Sequence, residues 1–235
     1  MSWIDGPLVG FDTETTGIDV AHERIVTAAV VTSDASGSSE VTWLIDPGIE
    51  IPARATEVHG ISTEYAHAHG AQPAEALPEI ADAVVAALRA GAPIVAFNAA
   101  YDLAILDAEL ARHGLETLPQ RLGGAVGPII DPLVLDRALE KYRRGKRTLG
   151  DLCTVYRVST GDDMHTAEVD VAATLGVLRA IAAKHPEIAA LSLAELHEWQ
   201  IAAHREWAAD FNGWMAKNGR SGRADLGWPY PAIVG

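Results

Sequence analysis

The sequence is poor in cysteine and has no long apolar run. Cys153 is the single cysteine among 235 residues, which excludes an internal disulfide and any zinc site built from several cysteines. No apolar stretch reaches the ~18 residues of a membrane-spanning helix. The first residues carry neither a basic head nor an apolar signal core. We therefore expect a cytoplasmic protein with no membrane partner.

Basic residues are also scarce. The net charge of −14 argues against broad electrostatic affinity for nucleic acid. One local cluster nevertheless holds five of the 18 basic residues: Lys141, Arg143, Arg144, Lys146 and Arg147. It either holds phosphates or is a solvated loop between helices. No glycine-rich phosphate loop or dinucleotide fingerprint occurs, so NTPase and dehydrogenase functions have no support.

The apolar pattern predicts an α/β fold. Short apolar runs at 8–13, 24–31, 41–45, 93–97 and 127–131 predict strands, with a hairpin turn at 33–39. Helical periodicity occupies most of the chain between and after them, including a helix at 74–89 and another at 193–217. Composition changes after Pro186, where a row of tryptophans begins that either packs on the core or binds a partner.

The first strand ends in two carboxylates, Asp12 and Glu14. Side chains alternate along a strand, so both point to the same face. Adjacent buried like charges are costly, and a divalent cation such as Mg²⁺ or Mn²⁺ removes that cost. The residues that follow, Thr15, Thr16 and Gly17, offer hydroxyls and a flexible turn to a substrate. The alternative is an ordinary polar strand end.

Other polar residues stand at element ends that could meet this pair. Asp102 lies in the first turn of a helix after a strand, and Asp170 heads a long helix with His165 just before it. His59 lies in a loop that could touch a ligand. Acids at helix starts and exposed loop histidines are also common without any function. Four carboxylates could hold two cations for phosphoryl transfer, with His165 as the general base.

Three motifs in order carry a resemblance. Residues 11–17 read FDTETTG, residues 98–102 read NAAYD and residues 165–170 read HTAEVD. Together they resemble the DEDDh 3′–5′ exonucleases, the DnaQ-like family that includes proofreading epsilon subunits of bacterial replicative polymerases. The resemblance covers about residues 7–184. Phe97 stands where many members carry histidine, so this chain departs from the family pattern at that local substrate contact.

The resemblance implies a fold and a set of roles. The fold is an RNase-H-like mixed five-stranded sheet flanked by helices, which we assign to a domain of residues 1–188. The resemblance stops before Leu193, and the sequence pattern itself predicts a helical and extended tail, residues 189–235. Two Mg²⁺ or Mn²⁺ ions would be bound by Asp12, Glu14, Asp102 and Asp170, with His165 as base. The substrate would contact residues that the motifs and the Val58–Ile61 loop supply: Thr15, Thr16, Gly17, His59 and Asn98.

The leading hypothesis is a metal-dependent exonuclease acting on the 3′ end of single-stranded DNA, in proofreading or repair. RNA is the alternative substrate, because no contact to a 2′-hydroxyl can be located in the sequence. A second hypothesis is a module that docks on a DNA polymerase subunit through the tail, with secondary nuclease activity. A third is a small-molecule phosphoesterase with the same two-metal chemistry.

Overall fold

The computed structural model describes residues 2–159 and 166–231. Its sheet contains the strands β1 (Leu8–Thr15), β2 (Ile25–Asp34), β3 (Gly37–Leu44), β4 (Ile94–Val95) and β5 (Ile129–Ile130). The strand order is β3-β2-β1-β4-β5. β1, β2 and β3 pair antiparallel, whereas β4 and β5 run parallel to β1. The predicted mixed five-stranded sheet is confirmed.

The hairpin between β2 and β3 is tighter than the sequence predicted. The strands continue to Asp34 and resume at Gly37, so the turn is two residues long rather than spanning 33–39. The Asp34 carboxylate accepts a hydrogen bond from the backbone N–H of Ser36 at 2.7 Å. β3 is an exposed edge strand, and serines on such a strand look like turn residues although they pair in the ladder.

Helices cover both faces of the sheet and extend beyond it. A short 3₁₀ helix at Trp3–Asp5 precedes β1. The α-helices are α1 (Ala53–His59), α2 (Thr63–His69), α3 (Pro73–Arg89), α4 (Ala99–Arg112), α5 (Leu118–Leu122), α6 (Pro132–Leu139), α7 (Leu149–Tyr156), α8 (Ala167–Lys184), α9 (Pro186–Ala189) and α10 (Leu193–Lys217). In the part of the chain that the structure describes, no helix combines the length and apolarity needed to cross a membrane.

Alternation along β1 divides the interior into two layers. Val9 and Phe11 face a core that contains Leu77 of α3 and Leu106 of α4. Leu8 belongs to the opposite core, which α8 dominates. Strands covered on both faces are apolar on both faces, which explains the continuous apolar start of β1. Its polar residues begin at Asp12, in the second half of the strand.

The last helix lies against α6 and β5. Its Leu196, Gln200 and Ala208 are buried. The segment after α10 folds back along it, where Asn212 exchanges side-chain hydrogen bonds with the backbone of Ala224 at 2.8 and 2.9 Å. Most of the aromatic row on α10 is partly buried, and Trp214 at its end is 47% exposed.

Much of the basic cluster at 141–147 is engaged in ion pairs. The buried Asp136 carboxylate accepts from Arg143 at 2.8 Å and from Arg147 at 2.7 Å. Lys141 lies 3.1 Å from both Glu206 and Asp210 on α10. Three of the five cations therefore join α6 to its neighbours.

Candidate metal centre and active site

Three carboxylates meet at the end of β1. Asp12 and Glu14 leave the same face of the strand, and Asp170 comes from the first turn of α8. Each residue offers one oxygen atom, and the three atoms lie within 4.8 Å of one another. Oxygen-only ligands at this spacing suit a hard divalent cation such as Mg²⁺ or Mn²⁺.

Helix α8 reaches the strand because Gly10 has no side chain. A Cβ atom built on Gly10 would lie 2.2 Å from Cγ1 of Val171, far inside van der Waals contact. Val171 is the residue next to Asp170. The missing side chain thus lets α8 pass close enough to β1 to bring Asp170 beside Asp12.

The cluster is strongly unfavourable for negative charge. Burial, and then the charges of Asp102, Glu14 and Asp170, raise the pKa of Asp12 well above its usual value. Burial, and then the charges of neighbouring acids, raise the pKa of Glu14 from 4.5 to about 8. A bound dication reverses this effect because it favours the ionised form of every ligand. The donor set therefore fits a divalent metal ion.

Asp102 stands next to these three residues in a different hydrogen-bonding arrangement. Its Oδ1 accepts from the backbone N–H of Thr13 at 3.0 Å and from the Thr13 hydroxyl at 2.8 Å. Burial raises the pKa of Asp102 to about 7, against the lowering effect of the two Thr13 hydrogen bonds. Its charge also raises the pKa values of Asp12 and Glu14. The structure thus brings three predicted ligands together. The fourth, Asp102, is hydrogen-bonded to Thr13, which lies between Asp12 and Glu14 on β1.

The predicted base, His165, lies outside the described residues, which resume at Thr166. Ala167 is the first residue of α8. The role of His165 as the general base therefore remains a prediction from the sequence motif.

Hydrogen bonds within the protein hold the turn after β1. The Thr15 hydroxyl donates to the carbonyl of Gly17 at 2.7 Å and lies 2.8 Å from the Tyr101 hydroxyl, which also donates to that carbonyl. The buried Thr16 donates to the Glu23 carboxylate at 2.5 Å. Both threonine hydroxyls serve the turn itself, so the turn offers a ligand a fixed backbone rather than two unpaired hydroxyls.

A cleft opens beside Glu14. Its volume is ≈ 330 Å³, and its walls include Trp43 of β3, His59 of α1 and Tyr65 of α2. Burial lowers the pKa of His59 and thus favours the neutral form of its ring. The Nδ1 atom of His59 accepts from the backbone N–H of Ile61 at 3.2 Å. The cleft therefore extends from Glu14 to a wall of ring-bearing side chains.

Asn98 precedes α4 and has a left-handed backbone with φ of 65°. Its side chain is on the exposed side, whereas its backbone N–H donates to the carboxylate of Asp131 at 3.1 Å. Asp131 also accepts from the N–H of Ala99 at 3.0 Å and of Leu133 at 2.9 Å.

Sequence reasoning missed Asp131 and Tyr101, although both support the site. The Asp131-Pro132 dipeptide, after an apolar run, is a recognisable helix start and could have singled out Asp131. No comparable signal marks Tyr101, since its hydroxyl bonds to residues more than eighty positions away.

Comparisons with known proteins agree on one relationship. The family model described as Exonuclease matches residues 9–178 of this chain. DNA polymerase III of the PolC type from Streptococcus thermophilus is 33% identical over 169 residues, which are 71% of this chain and 10% of that protein. The corresponding polymerase from Lacticaseibacillus paracasei is 28% identical over 176 residues, 74% of this chain and 11% of that protein. This chain thus spans about a tenth of the length of these relatives.

Solved structures with the same architecture include Escherichia coli Exonuclease I in complex with a dA16 oligonucleotide. That structure matches 85% of this chain and 44% of its own with a TM-score of 0.67 and 17% identity. Exonuclease I from Methylocaldum szegediense matches 85% of this chain and 43% of its own with a TM-score of 0.64 and 21% identity. At such identities the likeness concerns the fold, and it confirms the predicted RNase-H-like architecture.

Proposed function

The chain belongs to the exonuclease family, and we propose that it is a metal-dependent exonuclease that removes nucleotides from the 3′ end of single-stranded DNA. The observation that carries this proposal is the meeting of Asp12, Glu14 and Asp170 within 4.8 Å beside an open cleft. The names of the similar proteins support the choice of DNA, since they are DNA polymerases and an exonuclease bound to an oligodeoxynucleotide.

The acids would act as metal ligands. Asp12, Glu14, Asp102 and Asp170 would hold the divalent ions, which we propose are two Mg²⁺ or Mn²⁺. When bound, such ions stabilise the attacking and leaving oxygens of an in-line phosphoryl displacement. Thr13 fixes the orientation of Asp102 through two hydrogen bonds, at 3.0 and 2.8 Å.

Other residues of the chain would bind the nucleotide and move the proton. His165, from the third motif, would accept the proton of the attacking water. The turn at Thr15, Thr16 and Gly17 would receive the 3′-terminal nucleotide on its backbone. His59, in the wall of the cleft, would contact the DNA strand next to its 3′-terminal nucleotide. Asn98 would also lie beside the DNA.

A labelled strand tests polarity and substrate together. We expect a 5′-labelled single-stranded DNA to yield a ladder of progressively shorter labelled products, and EDTA to abolish it. Immediate release of labelled mononucleotide would instead indicate attack from the 5′ end. A matched RNA strand in the same assay decides whether RNA is the preferred substrate, because the described residues provide no assigned contact to a 2′-hydroxyl.

Paired variants link that activity to the acids. Asp12→Asn should remove nearly all hydrolysis because it removes a metal ligand. Asp34→Asn is the matched control, since Asp34 also lies on a strand but is exposed at the far hairpin. Equal activity of both variants would contradict the proposed site.

The relatives also favour an association with a DNA polymerase. We propose that the nuclease site is built within residues 1–188 and that the tail, residues 189–235, meets a polymerase subunit. The exposed Trp214 at the end of α10 supports this role. Co-elution with the replicative polymerase subunit of the same organism should be lost in Trp214→Ala with hydrolysis unchanged. Co-elution that survives this change would contradict the use of Trp214.

A further inference from the structure

Gln200 pairs with the β5 edge of the sheet from α10, a helix that follows the family match. Its Oε1 accepts from the backbone N–H of Asp131 at 2.8 Å, and its Nε2 donates to the carbonyl of Ile129 at 2.9 Å. β5 is the last strand of the sheet, and a side-chain amide pairs with it as a neighbouring strand would. Gln200 is fully buried, so both bonds are shielded from water.

Asp131, the residue that Gln200 holds through its backbone N–H, connects several elements through its carboxylate. The Asp131 carboxylate accepts from the N–H groups of Asn98 and Ala99, at 3.1 and 3.0 Å, and these residues open α4. It also accepts from Leu133 at the start of α6, at 2.9 Å. One buried carboxylate therefore ties the end of β5 to the beginnings of two helices.

These connections lead directly to the acid cluster. Asp102 lies three residues after Ala99 on α4, and its Oδ1 binds both the N–H and the hydroxyl of Thr13. Thr13 stands between Asp12 and Glu14 on β1. An unbroken series of hydrogen bonds and short helical segments thus connects α10 to the carboxylates.

We propose that Gln200 is a positioning residue of the metal centre, acting through Asp131 and the first turn of α4 on the placement of Asp102. The family model ends at residue 178, so this support comes from the part of the chain that the family match leaves out. The inference rests on the proposed function only in taking the carboxylates as metal ligands. The effect of Gln200 on Asp131 and on the start of α4 is expected in the protein without metal as well.

The test compares Gln200→Met with Leu196→Ala. Methionine keeps the volume of glutamine but makes neither hydrogen bond. Leu196 is buried one turn earlier on α10, and its truncation weakens packing but leaves both hydrogen bonds of Gln200 in place. In metal-free protein, amide hydrogen exchange followed by NMR should become at least about 10-fold faster at Asn98 and Ala99 in Gln200→Met, beyond any change in global stability. Calorimetric titration with Mn²⁺ should show an affinity about 10-fold weaker than wild type.

Leu196→Ala should lower the melting temperature without either effect. Gln200→Glu should recover much of the loss, because a buried carboxyl protonates and can then donate and accept as the amide does. Should Gln200→Met fail to fold, Gln200→Asn serves in its place, since its shorter side chain withdraws from both partners.

Exchange rates and Mn²⁺ affinity in Gln200→Met equal to those of Leu196→Ala would overturn the inference. A wild-type protein that binds no Mn²⁺ would overturn the proposed function instead. In that case the exchange rates at Asn98 and Ala99 would still decide whether Gln200 positions α4.

Discussion

At the scale of single residues, the candidate site is a set of carboxylates that the folded protein disfavours in their charged forms. Burial is the main cause for Asp12, Glu14 and Asp102, and mutual repulsion adds to it for Asp12 and Glu14. Such groups cost stability without a cation and bind one strongly when it is present. The pKa shifts therefore predict how the metal-free protein responds to pH.

Glu14 gives this prediction its pH range. Its folded-state pKa is raised from 4.5 to about 8, so its stabilising contribution is complete below pH 4.5 and is lost as the pH rises through about 8. Allowing for solvent screening at a half-buried carboxyl, we expect metal-free protein to lose roughly 1–3 kcal/mol of unfolding free energy across this range. Urea unfolding in EDTA at several pH values measures the loss.

Glu14→Gln should make this pH dependence weaker, because the amide does not titrate, and the remaining slope should come from Asp12 and Asp102, whose pKa values are also raised. Glu50→Gln, a substitution in an exposed loop, is the control and should leave the curve unchanged. Adding Mn²⁺ should restore stability at high pH in the wild type, since a ligand of the folded state stabilises it. The opposite result would be an unfolding free energy that increases between pH 5 and 8, both in the metal-free wild type and in Glu14→Gln. It would show that the carboxylates do not lie close together in the folded protein.

The sequence was sufficient to predict those residues of the cluster whose positions follow from the regular repeat of a strand or helix. Asp12 and Glu14 share a face because strands repeat every two residues, and Asp170 lies in the first turn of a helix as its pattern indicated. The hydrogen bonds from Thr13 to Asp102, and from Asp131 to α4, join residues distant along the chain. No local pattern encodes such bonds, and the same is true of Gln200, which stands between Trp199 and Ile201.

At the scale of elements, the site depends on how closely α8 approaches β1. Gly10→Ala would place a methyl group 2.2 Å from Cγ1 of Val171 in the present arrangement. The helix must move away, which we expect to cost about 1–3 kcal/mol of stability and to draw Asp170 away from Asp12. This variant should therefore have a lower melting temperature and a weaker affinity for Mn²⁺ than the wild type.

The double variant Gly10→Ala with Val171→Ala separates this cause from a general loss of packing. Removing the valine methyl groups makes room for the new Cβ, so Mn²⁺ affinity should recover toward wild type. Val171→Ala alone should lower stability through a cavity while leaving Asp170 in place. Affinity that stays low in the double variant would show that the approach of α8 does not control the position of Asp170.

The contact between α6 and the following loop depends on a second buried carboxylate. Asp136 is fully buried between Arg143 and Arg147, and the Tyr156 hydroxyl donates to it at 2.9 Å. We expect Arg147→Ala to cost about 2–3 kcal/mol, less than a complete loss of partners because Arg143 and Tyr156 remain. Arg144→Ala is the matched control and should change stability by less than about 0.5 kcal/mol, since its side chain is exposed. Equal melting temperatures for the two variants would contradict the pairing with Asp136.

At the scale of the whole molecule, the basic loop starts beside the end of α8 that lies away from Asp170. The Nε2 atom of His185, just after α8, lies 2.9 Å from the Glu140 carboxylate that precedes the loop. Asp170 is fourteen residues before Lys184, the last residue of the helix, which is about 21 Å along a helix axis. Of the two interpretations that the sequence left open for 141–147, this geometry favours a solvated loop with structural ion pairs.

A salt titration distinguishes the two interpretations directly. Affinity can be measured for a DNA strand whose terminal linkage is a hydrolysis-resistant phosphorothioate, over a range of salt concentrations. Two cations that contacted phosphates of a single strand would contribute about −1.4 to the slope of log affinity against log salt. We expect the variant with Arg144→Ala and Lys146→Ala to keep the wild-type slope, because these exposed side chains belong to a loop that starts beside His185, at the end of α8 away from Asp170. A slope shallower by about that amount would instead show that the DNA strand contacts this loop.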